Sequence, residues 1–445
     1  MASIMPFTGF RYNTSVAGDL LDLVTPPYDV IDAAAQERYY NRHPNNIIRL
    51  EYGKAEPADD SANNTYTRAA KDLTTWIETG VLTQEAEPAL YFYEQEFTID
   101  CLAKIRSGFF CTVKLESYDR GVVLPHEETI PKHKADRLEL LRASSANLSP
   151  VFSLYADTER QVERVLRQHI GNRAPEVSFT DESGESHRIW VVTDREVIGE
   201  VQLIMADKQI FIADGHHRYE TALNYKNERI AQGAPADDPC NYIMMALVNL
   251  YDPGLVVLPT HRLIRDLADF SIDRLLDRLR QYFTIEEYPI NHQETAFLEL
   301  LDLLTRRGRM LHGAGHHHVF GLYVPGDRFF LLQLDADKGL TPALLPGKSQ
   351  AWCDLDVAVL QTLVLDRCLG INSELVAKGE HIAYAKSGEE AKASVDNGEF
   401  QAAFFLNPTL VEEILLVAGR GEKMPQKSTF FYPKLSAGLV LNRLC

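Results

Sequence analysis

The stretch at 210–222, Ile-Phe-Ile-Ala-Asp-Gly-His-His-Arg-Tyr-Glu-Thr-Ala, constrains the fold more than any other part of the chain. Residues 210–213 are apolar, partly β-branched, and run straight into Asp214-Gly215, after which Tyr219, Ala222, Leu223 and Ile230 recur at helical spacing. The reading is strand, tight turn, helix, which places the chain among α/β proteins. The first amides of a helix lack intrahelical acceptors and lie at the positive end of its dipole, so such a turn can cradle an anion. Gly215 lets the backbone approach a ligand closely, and His216, His217 and Arg218 add donors where a phosphate would rest. A plain strand-to-helix corner carrying surface histidines accounts for the same residues.

The remaining composition narrows the function classes. A chain of 445 residues predicts roughly three domains at about 150 residues each. The net charge of -18 argues against general nucleic-acid binding, so a phosphate site must be a local basic pocket. No run approaches the ~18 consecutive apolar residues of a membrane span, and the N-terminus lacks a signal-peptide pattern. A cytoplasmic protein without a membrane partner is expected. Cys101, Cys111, Cys240, Cys353, Cys368 and Cys445 show no CxxC spacing and read as small buried hydrophobes.

In chain order, Pro26-Pro27-Tyr28-Asp29-Val30 is an extended, proline-stiffened loop that either lines a site or buttresses one. Residues 47–51 read as a strand and 67–79 as a helix stopped by Gly80. Two β-rich runs, 89–99 and 105–116, predict a hairpin. Pro125-His126-Glu127 then places a carboxylate behind a strand end, as a solvated loop charge or as a catalytic acid/base. A helix over 135–147, a strand over 151–155, a helix over 158–170, a hairpin over 179–192 with Trp190 inside and a helix over 196–205 follow. Residues 242–249 are apolar on both faces and read as a central strand. Thr260-His261-Arg262 ends another strand. Beyond about residue 266, helices and strands alternate as a separate α/β layer. The four histidines of 312–318 lack carboxylate or cysteine companions and read as a turn before a strand in preference to a metal site. Lys427-Ser428-Thr429, followed by three aromatics, suits a phosphate and a nucleobase, or a loop docked into the core.

These dispersed motifs, in this order, identify the chain as a member of the large bacterial family known as domain of unknown function 1015. The resemblance runs over nearly the whole chain. Asp214-Gly215-His216-His217-Arg218 after an apolar strand is also similar to the phosphate motif of the ParB/sulfiredoxin fold, and most closely to that of the archaeal free serine kinases. Those kinases carry Pro-His-Glu upstream and Pro-Lys-Thr-Thr near the C-terminus, which Pro125-His126-Glu127 and Pro425-Gln426-Lys427-Ser428-Thr429 match in order.

The resemblance implies a ParB/sulfiredoxin-like nucleotide-binding core with additional α/β layers. The expected domains are an N-terminal α/β domain over 1–116, the nucleotide-binding core with an insertion over 117–266, and a C-terminal α/β domain over 267–445. The implied activity is transfer of a phosphoryl group from ATP or ADP, with Mg²⁺, to the hydroxyl of a free amino acid, foremost L-serine. The expected protein is a monomer or homodimer. Glu127 would be the general base, supported by His126, and Asp214 would orient the site or bind Mg²⁺. Gly215, His216, His217, Arg218, Lys427, Ser428 and Thr429 would hold the nucleotide, and His261, Arg262, Tyr28 and Asp29 the acceptor. The alternative is a ParB-like nucleotide-binding switch without metabolite phosphorylation. A sulfiredoxin-like reductase would need a cysteine where His216 and His217 stand.

Overall fold

The computed structural model describes residues 2–444 except 128–130, 291–293 and 313–317, together with the side chains of 131–133, 294 and 309–312. The chain folds into two compact units: unit 1 comprises Met1–Pro125, Thr129–Val256 and Pro433–Cys445, and unit 2 comprises His126–Glu128 and Val257–Tyr432. Boundaries were expected at 116 and 266. The hairpin assigned to the first expected domain instead shares one sheet with strands assigned to the second.

Unit 1 is built on a nine-stranded mixed sheet. In chain order its strands are β1 (Ile4–Met5), β2 (Leu90–Ile99), β3 (Leu102–Lys114), β4 (Val123–Pro125), β5 (Val151–Tyr155), β6 (Val177–Thr180), β7 (Ser186–Val192), β8 (Ile210–Asp214) and β9 (Tyr242–Asn249). The order across the sheet is β4-β8-β5-β9-β3-β2-β7-β6, with β1 on β3. The pairs β4/β8 and β5/β9 are parallel and the others antiparallel. As its double-sided hydrophobicity predicts, β9 is central, and all but one of its residues are buried. The β2–β3 hairpin turns through Asp100 and Cys101, whose φ angles of 50° and 59° supply the left-handed pair that a two-residue turn requires. Cys101 is therefore exposed, against expectation, while Cys111, Cys240, Cys353 and Cys368 are buried.

Residues 47–51 form not a strand but the short helix α1 (Ile48–Glu51). The Asn46 side chain accepts the Ile48 amide at 2.9 Å, and a short buried apolar run carries no periodicity that separates strand from helix. The helix α2 (Thr65–Glu78) starts at an Asn64 capping box and ends ahead of Gly80, whose φ is +75°. The helices α3 (Pro131–Ser144), α4 (Gln161–Ile170), α5 (Arg195–Met205) and α6 (His216–Ala231) fall close to their predicted positions. The predicted hairpin is β6–β7, and Trp190 is buried in the unit's main core with Phe92 at 5.8 Å.

Unit 2 carries a six-stranded, wholly antiparallel sheet. Its strands are β10 (His261–Ile264), β11 (Phe283–Pro289), β12 (Val319–Val324), β13 (Arg328–Leu334), β14 (Ile382–Ala385) and β15 (Ala402–Phe405), in the order β11-β13-β12-β15-β10-β14. Its core is aromatic, with Phe297, Phe329 and Phe405 in mutual contact. The expectation of an α/β class holds for both units.

Candidate functional site

In unit 1, β8 is bulged between Ile212 and Asp214, so Asp214 leaves the regular ladder as the strand ends. Gly215 caps α6 with φ +90°. That conformation favours glycine, and a Cβ there would lie 2.8 Å from Arg218 Nε. The guanidinium lies against the turn because it is anchored from the other side. Arg218 Nη1 donates to Ser149 Oγ at 2.9 Å and to the Pro150 carbonyl at 2.6 Å, and Nη2 is 3.7 Å from Asp214 Oδ2. The Arg218 Nε is buried with no acceptor among the described residues.

The network continues inward. Ser149 Oγ donates to Glu51 Oε1 at 2.8 Å, and Arg137 donates to the Glu51 carbonyl at 2.7 Å. The Arg137 guanidinium lies over the Tyr28 ring at 4.1 Å. Burial pushes the Tyr28 phenol up to about 12, against the pull of Arg137 and Arg218. A cavity of about 50 Å³ is lined by Glu51, Arg137, Ser149, Arg218 and Thr221 among others. Asp29 is exposed in the 3₁₀ turn Tyr28–Val30. The proline-stiffened loop and the glycine turn thus meet through buried charge.

Lys434 Nζ is 3.4 Å from Asp214 Oδ2. Burial would raise the Asp214 carboxyl, but Lys434, then Arg218 and His216, outweigh it and bring it down to about 2. Asp214 is therefore a carboxylate neutralised by cations. This does not suit the expected Mg²⁺ ligand, because a dication would have to displace or oppose Lys434 and Arg218. His216 is buried and His217 half-buried at the start of α6.

In unit 2 the second group of motifs comes together. Glu127 Oε1 accepts the Ser428 amide at 3.1 Å, the Thr429 amide at 3.3 Å and the Thr429 hydroxyl at 3.4 Å. His126 Nε2 is 2.7 Å from Thr429 Oγ1 and 3.6 Å from Glu127 Oε1, and its ring meets Phe431 edge-on at 6.0 Å. Ser428 is buried, its hydroxyl donating to the Pro425 carbonyl at 2.5 Å and its carbonyl accepting from Thr409 at 2.7 Å. Lys427 is exposed with φ +57°. Arg262 donates to the Lys427 carbonyl at 3.0 Å and to the Thr260 carbonyl, with its guanidinium 5.3 Å from the Tyr384 ring centre. His261 is buried, its Nδ1 accepting the Leu406 amide at 3.3 Å. Burial and Arg262 hold the imidazole down at about 4. A neutral ring of that kind has no charge with which to grip a carboxylate.

Of the residues expected at the site, Glu127 is in contact with Ser428 and Thr429 within unit 2. Sequence reading did not single out every residue of the networks above. It missed Lys434, Glu51, Arg137 and Ser149. Lys434 stands a few residues beyond Lys427-Ser428-Thr429, just after the aromatics and Pro433, and could have been found there. Glu51 was hidden in the misread strand. Glu128 and Thr129, and residues 313–317 of the histidine run, lie outside the described residues, whereas His318 pairs with Asp356 at 2.7 Å. Among the described residues no helix is long and apolar enough to cross a membrane.

Together these features define a mixed α/β protein with a charged strand–glycine–helix corner. The sequence profile of the family described as "Protein of unknown function (DUF1015)" matches residues 4–358, and the chain belongs to that family. No curated protein matches the sequence. Among solved structures, a conserved hypothetical protein from Pyrococcus furiosus is similar at 16% identity and TM-score 0.33, over 73% of this chain and 92% of its own. A free serine kinase in complex with AMP is similar at 13% identity and TM-score 0.35, over 72% and 86%. SbnI from Staphylococcus aureus, truncated at its C-terminus, is similar at 10% identity and TM-score 0.32, over 72% and 84%.

Proposed function

We propose that the protein is a small-molecule kinase that transfers a phosphoryl group from ATP or ADP to a metabolite hydroxyl, with free L-serine as the first acceptor to test. The observation that carries this reading is the corner at Gly215, where the opening amides of α6 and the cations Lys434 and Arg218 surround one ionised carboxylate. The amides of 215–218 with His216 and His217 hold phosphate. Arg218, committed to Ser149 and Pro150, sets the shape of the turn and contributes charge. Glu127 is the proton acceptor, oriented through Oε1 by the 428–429 amides and backed by His126. Lys427 and Thr429 contact the nucleotide, while Arg262, Tyr28 and Asp29 serve the acceptor. Mg²⁺ would accompany the nucleotide phosphates, and no step is assigned to Asp214-bound metal.

A nucleotide-binding switch is the second reading, favoured by the three donors from 428–429 that already occupy Glu127 Oε1. The two separate on one experiment. Purified protein is incubated with Mg²⁺, ATP or ADP, and a panel of hydroxy amino acids and polyols, and products are followed by ³¹P NMR. Phosphoserine or another phosphomonoester supports the kinase. Nucleotide binding by calorimetry with no transfer to any acceptor supports the switch, and absence of nucleotide binding removes both.

A further inference from the structure

At the far edge of the unit 1 sheet, the β6–β7 hairpin brings together three side chains that the phosphate corner does not use. Asp181, Glu185 and His187 each offer one ligand atom, and these atoms lie within 4.8 Å of one another. The spacing follows from the strand. Glu185 directly precedes β7 and stands two residues from His187 within it, and Asp181 returns across the turn, its amide donating to the Glu185 carbonyl at 2.9 Å. His187 is fully buried, Glu185 is buried and Asp181 is partly covered.

We infer that Asp181, Glu185 and His187 form a binding site for a divalent transition-metal ion of the Zn²⁺ class. One imidazole and two carboxylates make a set of nitrogen and oxygen donors that suits Zn²⁺ with water completing the coordination. Further hydrogen bonds and ring contacts hold each donor. The Tyr93 hydroxyl is 2.7 Å from His187 Nδ1, which leaves Nε2, 3.2 Å from Asp181 Oδ2, as the ligating nitrogen. Phe179 stacks on the ring at 4.6 Å and fixes its plane. Gln95 Nε2 donates to Glu185 Oε2 at 2.6 Å, and the amides of Ser183 and Glu185 donate to Asp181 Oδ1 at 2.9 and 3.0 Å. Such outer partners orient metal ligands, and an imidazole that donates its second N–H is the usual arrangement around bound zinc. Gln95 Nε2 also reaches the Lys434 carbonyl at 3.2 Å, so an ion here would stiffen the segment that carries the Asp214 partner. This assignment is independent of the kinase reading.

The test uses the full chain without an affinity tag, stripped with chelator and titrated with Zn²⁺ by calorimetry, alongside thermal melts. One equivalent binds, Tm rises by roughly 2 °C or more, and zinc-edge X-ray absorption shows an imidazole and no sulfur. Asp181→Asn and Glu185→Gln, which keep shape and most hydrogen bonds, each weaken Zn²⁺ binding at least tenfold, while their metal-free melts stay within about 2 °C of wild type, confirming that they fold. Absence of binding to the wild type, sulfur in the coordination shell, or undiminished binding in both folded variants overturns the assignment.

Discussion

Gly215→Ala tests the central corner most directly, because two separate penalties can be worked from the geometry. The residue sits at φ +90°, and forcing an L-residue with a Cβ into a left-handed conformation costs about 1–2 kcal/mol. The new methyl would also lie 2.8 Å from Arg218 Nε, where ordinary contact begins at 3.4 Å, so the guanidinium must move by 0.6 Å. Its bonds of 2.9 Å to Ser149 and 2.6 Å to Pro150 resist that shift, and weakening charged hydrogen bonds worth about 1.5–3 kcal/mol each adds roughly 1–2 kcal/mol. The expected total is about 2–4 kcal/mol, read by urea denaturation, with nucleotide affinity falling at least tenfold in calorimetry. A double-mutant cycle separates the terms. In an Arg218→Ala background, Gly215→Ala should cost only the backbone share of about 1–2 kcal/mol. If Gly215→Ala costs under about 0.5 kcal/mol in the wild type, or the same in both backgrounds, the account of why glycine stands there is wrong.

Three further outcomes are expected. Glu127→Gln keeps an oxygen for the Ser428 and Thr429 amides, so Tm should stay near wild type while phosphotransfer falls about 10²–10⁴-fold; an unchanged rate would remove the base assignment. Asp214 is lowered from the ordinary 3.8 to about 2, so its contribution, about 2 kcal/mol, is present above pH 4 and is lost as pH falls towards 2. Asp214→Asn should flatten that part of the acid-denaturation curve. Glu413 is raised from the ordinary 4.5 to about 7, chiefly by burial, so the folded state is favoured below 4.5 and loses that advantage as pH rises through 7. Glu413→Gln, which can still accept the Leu410 amide, should stabilise the protein by about 1–3 kcal/mol at pH 8 and have little effect at pH 4. Equal effects at both values would show that Glu413 is not the titrating group.

The elements legible in the sequence are those whose pattern is local. The strand–glycine–helix corner, the β2–β3 and β6–β7 hairpins and the buried strand β9 all carry their own periodicity and turn residues. Residues 47–51 do not. They are mostly buried and helical, with the Ile48 amide held by the Asn46 side chain, and read as a strand they left Glu51 unnoticed. The division into units was equally illegible, since the long strands β2 and β3 join a sheet whose other members come much later in the chain. The motifs of unit 2 were easier to single out, because Glu127 and Lys427-Ser428-Thr429 resemble a known pair of motifs in order. Their mutual hydrogen bonds, however, could not be read from order alone.

Those bonds change how the motif residues should be interrogated. Arg218 and Glu127 are the side chains to which sequence reading assigned charge and proton transfer, yet each also braces the backbone of its own unit, Arg218 at Pro150 and Glu127 at the 428–429 amides. Truncating either to alanine strands buried donors or acceptors, at about 1–3 kcal/mol for each unsatisfied group, and so mixes loss of folding with loss of activity. Arg218→Lys is not a mild alternative, since one ammonium cannot reproduce the planar fork that spans Ser149, Pro150 and Asp214. Lys434 offers a cleaner charge probe on the phosphate side. Its ion pair with Asp214 is lost in Lys434→Met, whereas the backbone carbonyl that accepts from Gln95 is retained. A role for the corner in phosphate binding should therefore be judged on Lys434→Met, and the role of Glu127 in proton transfer on Glu127→Gln, because these remove charge while leaving the braces in place.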